Sequence, residues 1–322
     1  MNACIVGYGC IGPVHATALI HTDCATIYAI CDIIKERADK GATEYGAKAY
    51  YDYDECLKDE NIDTVHICTP HYLHFEMIKK ALDAGKRVVA EKPVTIKKEE
   101  LDFLFASYDT TKIFPIIQNR TNTCIVKMRE LVSSSDYGKL KGIKGLVTWH
   151  RDETYYNSEA WRGKKETEGG GVLINQAVHT LDLMTLFGGK VKSVEATMKN
   201  YSLKDVIEVE DTVDAYITFE NGATGIFYAT NAYADNSSAQ LELEFENARL
   251  SYIDRKLFVN GECVCEDESG FIGKKYWGKG HAKTLNDYYK GESTLSLVDI
   301  KNTMDAMFAI YESAESGELV NL

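Results

Sequence analysis

The sequence lacks a run of apolar residues long enough to span a bilayer, so it predicts no transmembrane helix. A cleavable signal peptide is not indicated either, because the strand-like run Ala3–Val6 follows the first residues directly, without a basic and then an apolar region. Internal repeats, low-complexity tracts and long linkers rich in proline or glycine are also missing. These absences predict a cytoplasmic protein with no membrane partner, whose domains pack directly against each other.

Basic residues are outnumbered by acidic ones. The 322 residues include 36 Lys and Arg against 49 Asp and Glu, which gives a net charge of −13. This balance argues against a general affinity for nucleic acid or for an anionic membrane. An anionic small molecule is not excluded, because only the charge that lines a pocket matters. The contents of 45% apolar and 26% charged residues are typical of a folded globular protein.

Paired cysteines are not indicated. The chain has nine cysteines, and an odd number in a sequence of this length does not predict a disulfide framework. Cys4, Cys31 and Cys68 lie in short apolar runs, and we predict that they are small core residues. Cys263 and Cys265 form a C-x-C pair without a second pair, so we predict no zinc site there and no metal site elsewhere.

The length predicts two domains, because a single hydrophobic core stops growing before 322 residues. In the first third, short apolar runs typical of buried strands alternate with segments of helix length. The predicted strands are Ala3–Gly7, Thr26–Cys31, Thr64–Cys68, Val88–Glu91 and Ile113–Ile117, and the predicted helices are Pro13–His21, Lys35–Tyr45, His74–Ala84 and Lys97–Tyr108. We therefore predict a doubly wound α/β domain of the Rossmann type, with a parallel sheet, over residues 1–118.

The pattern changes after Gln118, where closely spaced strands are joined by turn signals such as Asn221-Gly222 and Asn260-Gly261. The predicted helices are Cys124–Ser133, Gly171–Phe187 and Asp299–Ser316, and the predicted strands are Leu140–His150, Val191–Lys199, Thr212–Phe219, Thr224–Thr230, Ala239–Phe245 and Arg249–Ile253. We predict a second, α+β domain over residues 119–322, with a largely antiparallel open sheet. The open face of such a sheet needs a cover, which predicts a homodimer or homotetramer built sheet to sheet.

The string Gly7-Tyr8-Gly9-Cys10-Ile11-Gly12 matches G-x-G-x-x-G. It follows a buried-strand pattern and opens a helix, and Asp32 lies twenty residues past Gly12 at the end of the next predicted strand. Gly7 permits a tight turn, Gly9 lets the backbone approach a pyrophosphate, and Gly12 lets helix and strand pack closely. The free N–H groups at the start of the helix would then bind the phosphates.

Asp32 indicates which dinucleotide binds. Its carboxylate would accept hydrogen bonds from the adenine ribose hydroxyls and would repel a 2′-phosphate, which favours NAD over NADP. Lys35 and Arg37 lie nearby and keep NADP as an alternative. In an unrelated α/β protein, the same residues would be a glycine turn and a helix cap.

Glu91-Lys92-Pro93 ends a predicted apolar strand, and ligands bind at the carboxyl ends of parallel strands. A lone lysine is usually a solvated surface residue. At this place, however, we expect Lys92 to project toward the cofactor crevice, with Pro93 fixing the backbone beside it. Asn119, just past the strand at Ile113–Ile117, is a further candidate for contact with substrate or cofactor.

In the predicted helix Gly171–Phe187, a spacing of i, i+4 and i+7 places Asn175, His179 and Asp182 on one face. The helix is otherwise mostly apolar and therefore buried, and polar groups there need partners. We expect Asn175 and His179 to face the substrate. For Asp182, internal hydrogen bonding is an equally good explanation.

Together these motifs resemble the glucose–fructose oxidoreductase / inositol dehydrogenase / rhizopine catabolism family, abbreviated Gfo/Idh/MocA. The resemblance covers nearly the whole chain. It rests on the glycine loop with His15-Ala16, Cys31-Asp32, Cys68-Thr69-Pro70-His71 with His74, Ala84-Gly85-Lys86, Glu91-Lys92-Pro93, Trp161-Arg162-Gly163, Gly169–Asp182 and Ala309-Ile310-Tyr311-Glu312-Ser313. These motifs are specific for the family and not for a substrate.

The resemblance implies that Lys92 and His179 hold and deprotonate the reacting hydroxyl while nicotinamide C4 accepts its hydride. It implies substrate contacts from Lys92, Asn175 and His179. The implied cofactor contacts are Gly7, Tyr8, Gly9, Cys10, Ile11, Gly12, Asp32, Ile33, Thr69, Pro70, His74, Glu91 and Lys92, with Trp161 and Arg162 reaching over from the second domain.

Many members of the family have Asp where this chain has Asn175. Asn cannot take a proton, so that role falls on Lys92 or His179, and the sequence does not decide between them. Lysine has an unperturbed pKa of about 10.4 and histidine of about 6.5, so only Lys92 would need a large downward shift, of roughly three units. Burial and the positive nicotinamide ring both lower the pKa of a lysine. Asn-Gln before His179 resembles the branch that acts on sugar 3-hydroxyls, including nucleotide-sugar 3-dehydrogenases.

We therefore predict an NAD-dependent oxidoreductase that transfers a hydride between nicotinamide C4 and a secondary hydroxyl or ketone of a sugar, a sugar derivative or a cyclic polyol. Two alternatives stay open. One is a redox-assisted lyase, epimerase or glycosidase that retains its NAD, and the other is a dinucleotide-binding regulator without catalysis. Intact Lys92 and His179 argue against the regulator, which has no need of either.

Overall fold

The computed structural model describes residues 1–134, 136–268 and 279–322, which form two compact units. The first comprises Met1–Thr121 and the described part of Ser269–Asp299. The second comprises the described residues of Asn122–Glu268 together with Ile300–Leu322. The first unit thus ends close to the predicted boundary at 118, but it also includes residues 279–299, which the sequence assigned to the second domain.

The first unit is built on a six-stranded sheet in which every neighbouring pair of strands is parallel. The strands are β1 (Asn2–Val6), β2 (Thr26–Cys31), β3 (Lys48–Tyr50), β4 (Thr64–Ile67), β5 (Arg87–Ala90) and β6 (Ile113–Pro115). Their order, β3-β2-β1-β4-β5-β6, reverses the direction of winding between β1 and β4. The predicted doubly wound parallel sheet is confirmed.

Helices cover this sheet, so its central strands are buried along almost their whole length. The helices are α1 (Gly12–Leu19), α2 (Lys35–Tyr45), α3 (Tyr53–Leu57), α4 (His74–Asp83), α5 (Lys98–Ser107) and, from late in the chain, α9 (Gly280–Lys290). Leu285 of α9 shares a core cluster with Val89 of β5 and Phe114 of β6. The sequence did not predict β3, α3 or α9.

The second unit contains a nine-stranded sheet in the order β14-β13-β12-β11-β7-β10-β9-β8-β15. The strands are β7 (Leu140–Thr148), β8 (Val191–Lys199), β9 (Thr212–Phe219), β10 (Thr224–Thr230), β11 (Gln240–Phe245), β12 (Arg249–Ile253), β13 (Lys256–Val259), β14 (Glu262–Glu266) and β15 (Val320–Asn321). Only β7 and β10 form a parallel pair among the described strands of this sheet. The predicted largely antiparallel sheet is therefore confirmed, with β13, β14 and β15 added.

The helices of the second unit are α6 (Thr123–Ser134), α7 (Glu153–Asn157), α8 (Val178–Gly188) and α10 (Lys301–Ser316). α8 packs on β7 and α10 packs on β8, and the two helices contact each other. A π-helical segment, Leu173–Ala177, leads directly into α8. The helix predicted at Gly171–Phe187 is therefore present, but its first part is wider than an α-helix.

Two predictions about apolar segments are tested by the described residues. Cys4, Cys31 and Cys68 are buried, as predicted for core residues. No helix in the described part of the chain is long and apolar enough to cross a membrane.

Candidate functional site

The glycine loop connects the carboxyl end of β1 to α1. Gly7 has a φ of +88°, and a Cβ there would lie 2.7 Å from the carbonyl oxygen of Cys68, so a side chain does not fit. A Cβ at Gly12 would lie 2.3 Å from the carbonyl oxygen of Gly7. At Gly9, by contrast, the nearest described atom to such a Cβ is Nη1 of Arg37, at 3.6 Å. The backbone at Gly9 is therefore open to a ligand, as a pyrophosphate site requires.

The other residues of the loop face in different directions. Tyr8 is buried with its ring against Gly41, and its backbone N–H donates to Asp32. Cys10 is exposed and Ile11 is partly exposed. Among the described residues, no side chain caps the start of α1 and no acidic residue lies in its first turn. The positive end of the helix dipole is thus available to a phosphate.

Asp32 follows β2 and is buried. Its two oxygens accept the backbone N–H groups of Tyr8 at 2.7 Å and Ile34 at 2.8 Å. An ionised carboxylate has about four lone-pair sites, so these contacts leave capacity for ribose hydroxyls. Ile33 beside it is 87% exposed, an apolar surface suited to an adenine ring. The open glycine, the uncapped helix and this acid fit an NAD site.

Thr69 and Pro70 follow β4 and are both partly exposed, whereas His74, the first residue of α4, is buried. Nδ1 of His74 lies 2.7 Å from the carbonyl oxygen of Pro93, and Nε2 lies 2.9 Å from that of Thr69. Burial lowers the pKa of His74, and the two carbonyl contacts oppose this shift. His74 therefore connects the loops that follow β4 and β5.

Lys92 is partly exposed at the carboxyl end of β5, between the buried residues Glu91 and Pro93. The Lys92–Pro93 peptide bond is cis. Asn119, after β6, is also partly exposed. Since the six strands are parallel, the loops that follow them lie along one edge of the sheet. The structure thus brings Lys92 and Asn119 to the same edge as the glycine loop and Asp32.

Glu91 belongs to a buried cluster that the sequence did not predict. Its Oε1 lies 2.9 Å from Nε2 of His15 and 3.3 Å from Nε2 of His281. Nδ1 of His15 lies 2.9 Å from Nδ1 of His66, and Nε2 of His66 lies 2.6 Å from the hydroxyl of Tyr289. Burial alone raises the pKa of Glu91, but the hydrogen bonds from His15 and His281 outweigh it and hold that pKa well below its usual range.

In the second unit, Asn175 and His179 are partly exposed positions on an otherwise buried helical segment. Within the described stretch 171–185 they are the two partly exposed residues, and every other residue is buried. Asp182 is fully buried and accepts a hydrogen bond from the Thr303 hydroxyl at 2.9 Å. Of the two explanations that the sequence left open for Asp182, burial and this contact therefore favour internal hydrogen bonding.

Glu168 is a second buried acid, and the sequence analysis gave it no role. One of its oxygens accepts from Nδ2 of Asn175 and the other from the backbone N–H of Gly163. Burial raises the pKa of Glu168 to about 7, although these two donors and the nearby Arg162 oppose the shift. An acid that titrates near neutral pH thus lies directly behind Asn175.

Tyr155 is a residue that the sequence did not single out, yet several side chains meet at its hydroxyl. Arg162 and Gln176 donate to it, the latter at 3.0 Å, and Nδ2 of Asn175 lies 3.4 Å away. The Arg162 guanidinium also lies 4.4 Å from the centroid of the Tyr155 ring. Trp161 and Arg162 are both partly exposed. Arg162 and Asn175 therefore belong to one cluster around Tyr155.

Sequence models of protein families match most of the chain. Residues 1–113 match the GFO_IDH_MocA oxidoreductase family, NAD-binding Rossmann fold, and residues 125–251 match the GFO/IDH/MocA C-terminal domain.

Individual relatives support the same assignment. Myo-inositol 2-dehydrogenase of Thermotoga maritima is 26% identical over 284 residues, which are 86% of this chain and 81% of that protein. Levoglucosan dehydrogenase of Pseudarthrobacter phenanthrenivorans is 26% identical over 244 residues, 66% of this chain, and the match spans only 61% of that protein. The crystal structure of the WlbA dehydrogenase from Bordetella pertussis, in complex with NADH and UDP-GlcNAcA, has a TM-score of 0.85 and 26% identity, covering 100% of this chain and 98% of that one.

Proposed function

Because the chain belongs to the GFO/IDH/MocA family of NAD-binding oxidoreductases, we propose that it transfers a hydride between NAD and a secondary hydroxyl or ketone of a sugar, a sugar derivative or a cyclic polyol. Relatives named as inositol and levoglucosan dehydrogenases support this substrate class. A structural relative crystallised with NADH and UDP-GlcNAcA extends it to nucleotide sugars.

The placement of Lys92 is the observation that carries the proposal. It is a partly exposed amine at the end of a buried parallel strand, on the sheet edge that also holds the glycine loop and Asp32. That edge is where a doubly wound sheet binds its ligand.

The residues divide the work of the reaction between them. When bound, NAD supplies a hydride acceptor at its nicotinamide C4. The glycine loop and the start of α1 hold the phosphates, and Asp32 holds a ribose. Lys92 and His179 hold the reacting hydroxyl, and one of them removes its proton. Asn175 takes no proton, because its side chain is an amide. A hydrogen bond from its Nδ2 to Glu168 holds it in place, and its role is to position the substrate.

The proposal is tested by mixing the protein with NAD and a panel of inositols, levoglucosan, free sugars and UDP-sugars, and measuring NADH formation. We expect net NADH with at least one of these classes. Lys92→Met should bind NAD with nearly unchanged affinity and lose turnover by about 10²- to 10⁴-fold, as expected when a proton-transfer group is removed. Lys97→Met, at an exposed position five residues away, is the matched control and should keep normal turnover.

Other outcomes would point to the alternatives. Near-normal turnover of Lys92→Met would refute the role of Lys92. Conversion of a substrate without net NADH would favour a lyase, epimerase or glycosidase that retains its cofactor. Binding of NAD without conversion of any substrate would favour a regulator.

We also propose that the protein is cytoplasmic and that its copies associate through the outer face of the second unit's sheet. Tyr216 of β9 and Ile226 of β10 are cross-strand partners, and they are 49% and 58% exposed. Adjacent exposed apolar side chains on an open sheet are typical of an interface. Light scattering should show a dimer or tetramer that Ile226→Lys converts to a smaller species. A monomeric wild-type protein would contradict this.

A further inference from the structure

Three N–H groups converge on the buried carboxylate of Glu91. His15 and His281 approach Oε1 at 2.9 and 3.3 Å, and the backbone N–H of Lys92 lies 3.3 Å from Oε2. His15 comes from α1 and His281 from α9, so elements far apart in the chain supply these donors. An ionised carboxylate only accepts hydrogen bonds, and this environment matches that form.

The next contacts in the cluster are consistent with neutral imidazoles. The Tyr289 hydroxyl can donate to Nε2 of His66, Nδ1–H of His66 to Nδ1 of His15, and Nε2–H of His15 to Glu91. This arrangement satisfies the contacts among Tyr289, His66, His15 and Glu91, and the one negative charge of these four residues lies on Glu91. Burial lowers the pKa of both His15 and His66, which keeps their rings uncharged.

This charge lies one residue from Lys92, at the sheet edge where the proposed reaction takes place. A charge in a buried medium acts on its neighbours far more strongly than one in water. The nicotinamide ring of NAD is positively charged when oxidised and neutral when reduced. An anion near the ring therefore stabilises the oxidised form selectively.

We infer that Glu91, held by His15 and His281, is an electrostatic element that favours binding of oxidised over reduced cofactor. The inference rests on the proposed function, which brings the nicotinamide ring to Lys92. It assigns a role to His281 and α9, which lie about 190 residues beyond Glu91 and outside the motifs of the sequence.

The test is to measure the Kd values of NAD and NADH separately by isothermal titration. Glu91→Gln removes the charge at nearly constant size, and we expect the ratio Kd(NAD)/Kd(NADH) to rise on the order of tenfold, as for the loss of one unit charge in a protein-like medium. Glu91→Asp keeps the charge and should keep most of the wild-type ratio. Tyr289→Phe, at the far end of the cluster, is the matched control and should leave the ratio unchanged.

If Glu91→Gln does not fold, His281→Lys serves instead, because its ammonium group would cancel the charge of Glu91 and shift the ratio in the same direction. An unchanged ratio in the charge-removing variant would overturn the inference. This includes the case in which the Kd values of NAD and NADH rise by the same factor, which indicates a purely structural role for Glu91.

The ligand atoms of His15, Glu91 and His281 lie within 4.8 Å of one another. A stoichiometric metal ion found there by elemental analysis would also overturn it, because the ion would neutralise the carboxylate.

Failure of this inference can be distinguished from failure of the proposed function. If the wild-type protein binds neither NAD nor NADH, the proposed function fails. If it binds both and the ratio does not respond to Glu91, only the electrostatic inference fails.

Discussion

Glu91 in the first unit and Glu168 in the second are both buried, yet their pKa values move in opposite directions. Glu91 is held well below its usual range, and Glu168 is raised to about 7. Burial favours the neutral form of both acids, so burial alone does not explain the difference. The difference lies in the groups that donate to each carboxylate.

The donors around the two acids differ in kind. Two imidazoles and a backbone N–H approach Glu91. Glu168 receives the amide of Asn175 and a backbone N–H, whereas the guanidinium of Arg162 donates to Tyr155 instead. A group that donates to the buried acid itself thus lowers its pKa more than a nearby cation that donates elsewhere. The first unit consequently holds a fixed charge, and the second holds a group that titrates near neutral pH.

The largest expected effect tests whether the two units serve one proton transfer. His179→Ala should lower turnover by about 10²- to 10⁴-fold, because it removes a group that holds or deprotonates the hydroxyl. Combined with Lys92→Met, the loss should be much smaller than the product of the single losses, since residues that act as a unit are not additive. His150→Ala, at an exposed histidine of the same unit, should keep normal turnover. A fully multiplicative loss in the double variant would separate the two roles.

An intermediate effect compares the two acids through the pH dependence of stability. The raised pKa of Glu168 means that the folded protein binds a proton more tightly than the unfolded chain, so this group's contribution is lost as pH rises from about 4.5 to about 7. Relative to the wild type, Glu168→Gln should therefore gain about 3 kcal/mol of unfolding free energy across that window. Urea unfolding at a series of pH values measures this gain.

Glu91→Gln should show the opposite sign in the same measurement. The lowered pKa of Glu91 stabilises the folded state above its ordinary value of 4.5, and that contribution is lost as pH falls below it. Glu91→Gln should thus have a lower unfolding free energy than the wild type at neutral pH, and this difference should shrink as the pH falls. Parallel pH profiles for the two Gln variants would show that the contrast between the acids is wrong.

The smallest expected effect compares two tyrosine hydroxyls. Tyr289→Phe leaves the buried Nε2 of His66 without its donor and should cost about 1–2 kcal/mol of unfolding free energy. Tyr311→Phe removes a 3.0 Å hydrogen bond to Glu210. Glu210 still accepts the backbone N–H groups of Gly171 and Leu173, so this variant should cost about 1 kcal/mol of unfolding free energy or less. Thermal unfolding of both variants decides the order. A larger loss for Tyr311→Phe would reverse it.

Features that depend on neighbouring residues were predictable from the sequence. The alternation of strand and helix patterns predicted the parallel sheet, because buried strands need apolar residues on both faces. The glycine loop was predictable because Gly7 has a positive φ and because a side chain at Gly12 would collide with the carbonyl of Gly7, five residues earlier. Asn175 and His179 were predicted on the open face because the helix period orders the side chains around them. The same period did not decide the role of Asp182, which is buried and accepts a hydrogen bond from Thr303 of α10.

The sequence by itself determined the Rossmann architecture, the glycine loop with Asp32, and the position of Lys92 at the end of a strand, since each follows from local backbone geometry and hydrophobic period. Only the tertiary structure decided that α9 returns to the first unit and brings His281 to Glu91, and that Glu168 lies behind Asn175. The physical reason is that burial and hydrogen-bond donors come from segments distant in the chain. The ionisation of a buried acid depends on both of them.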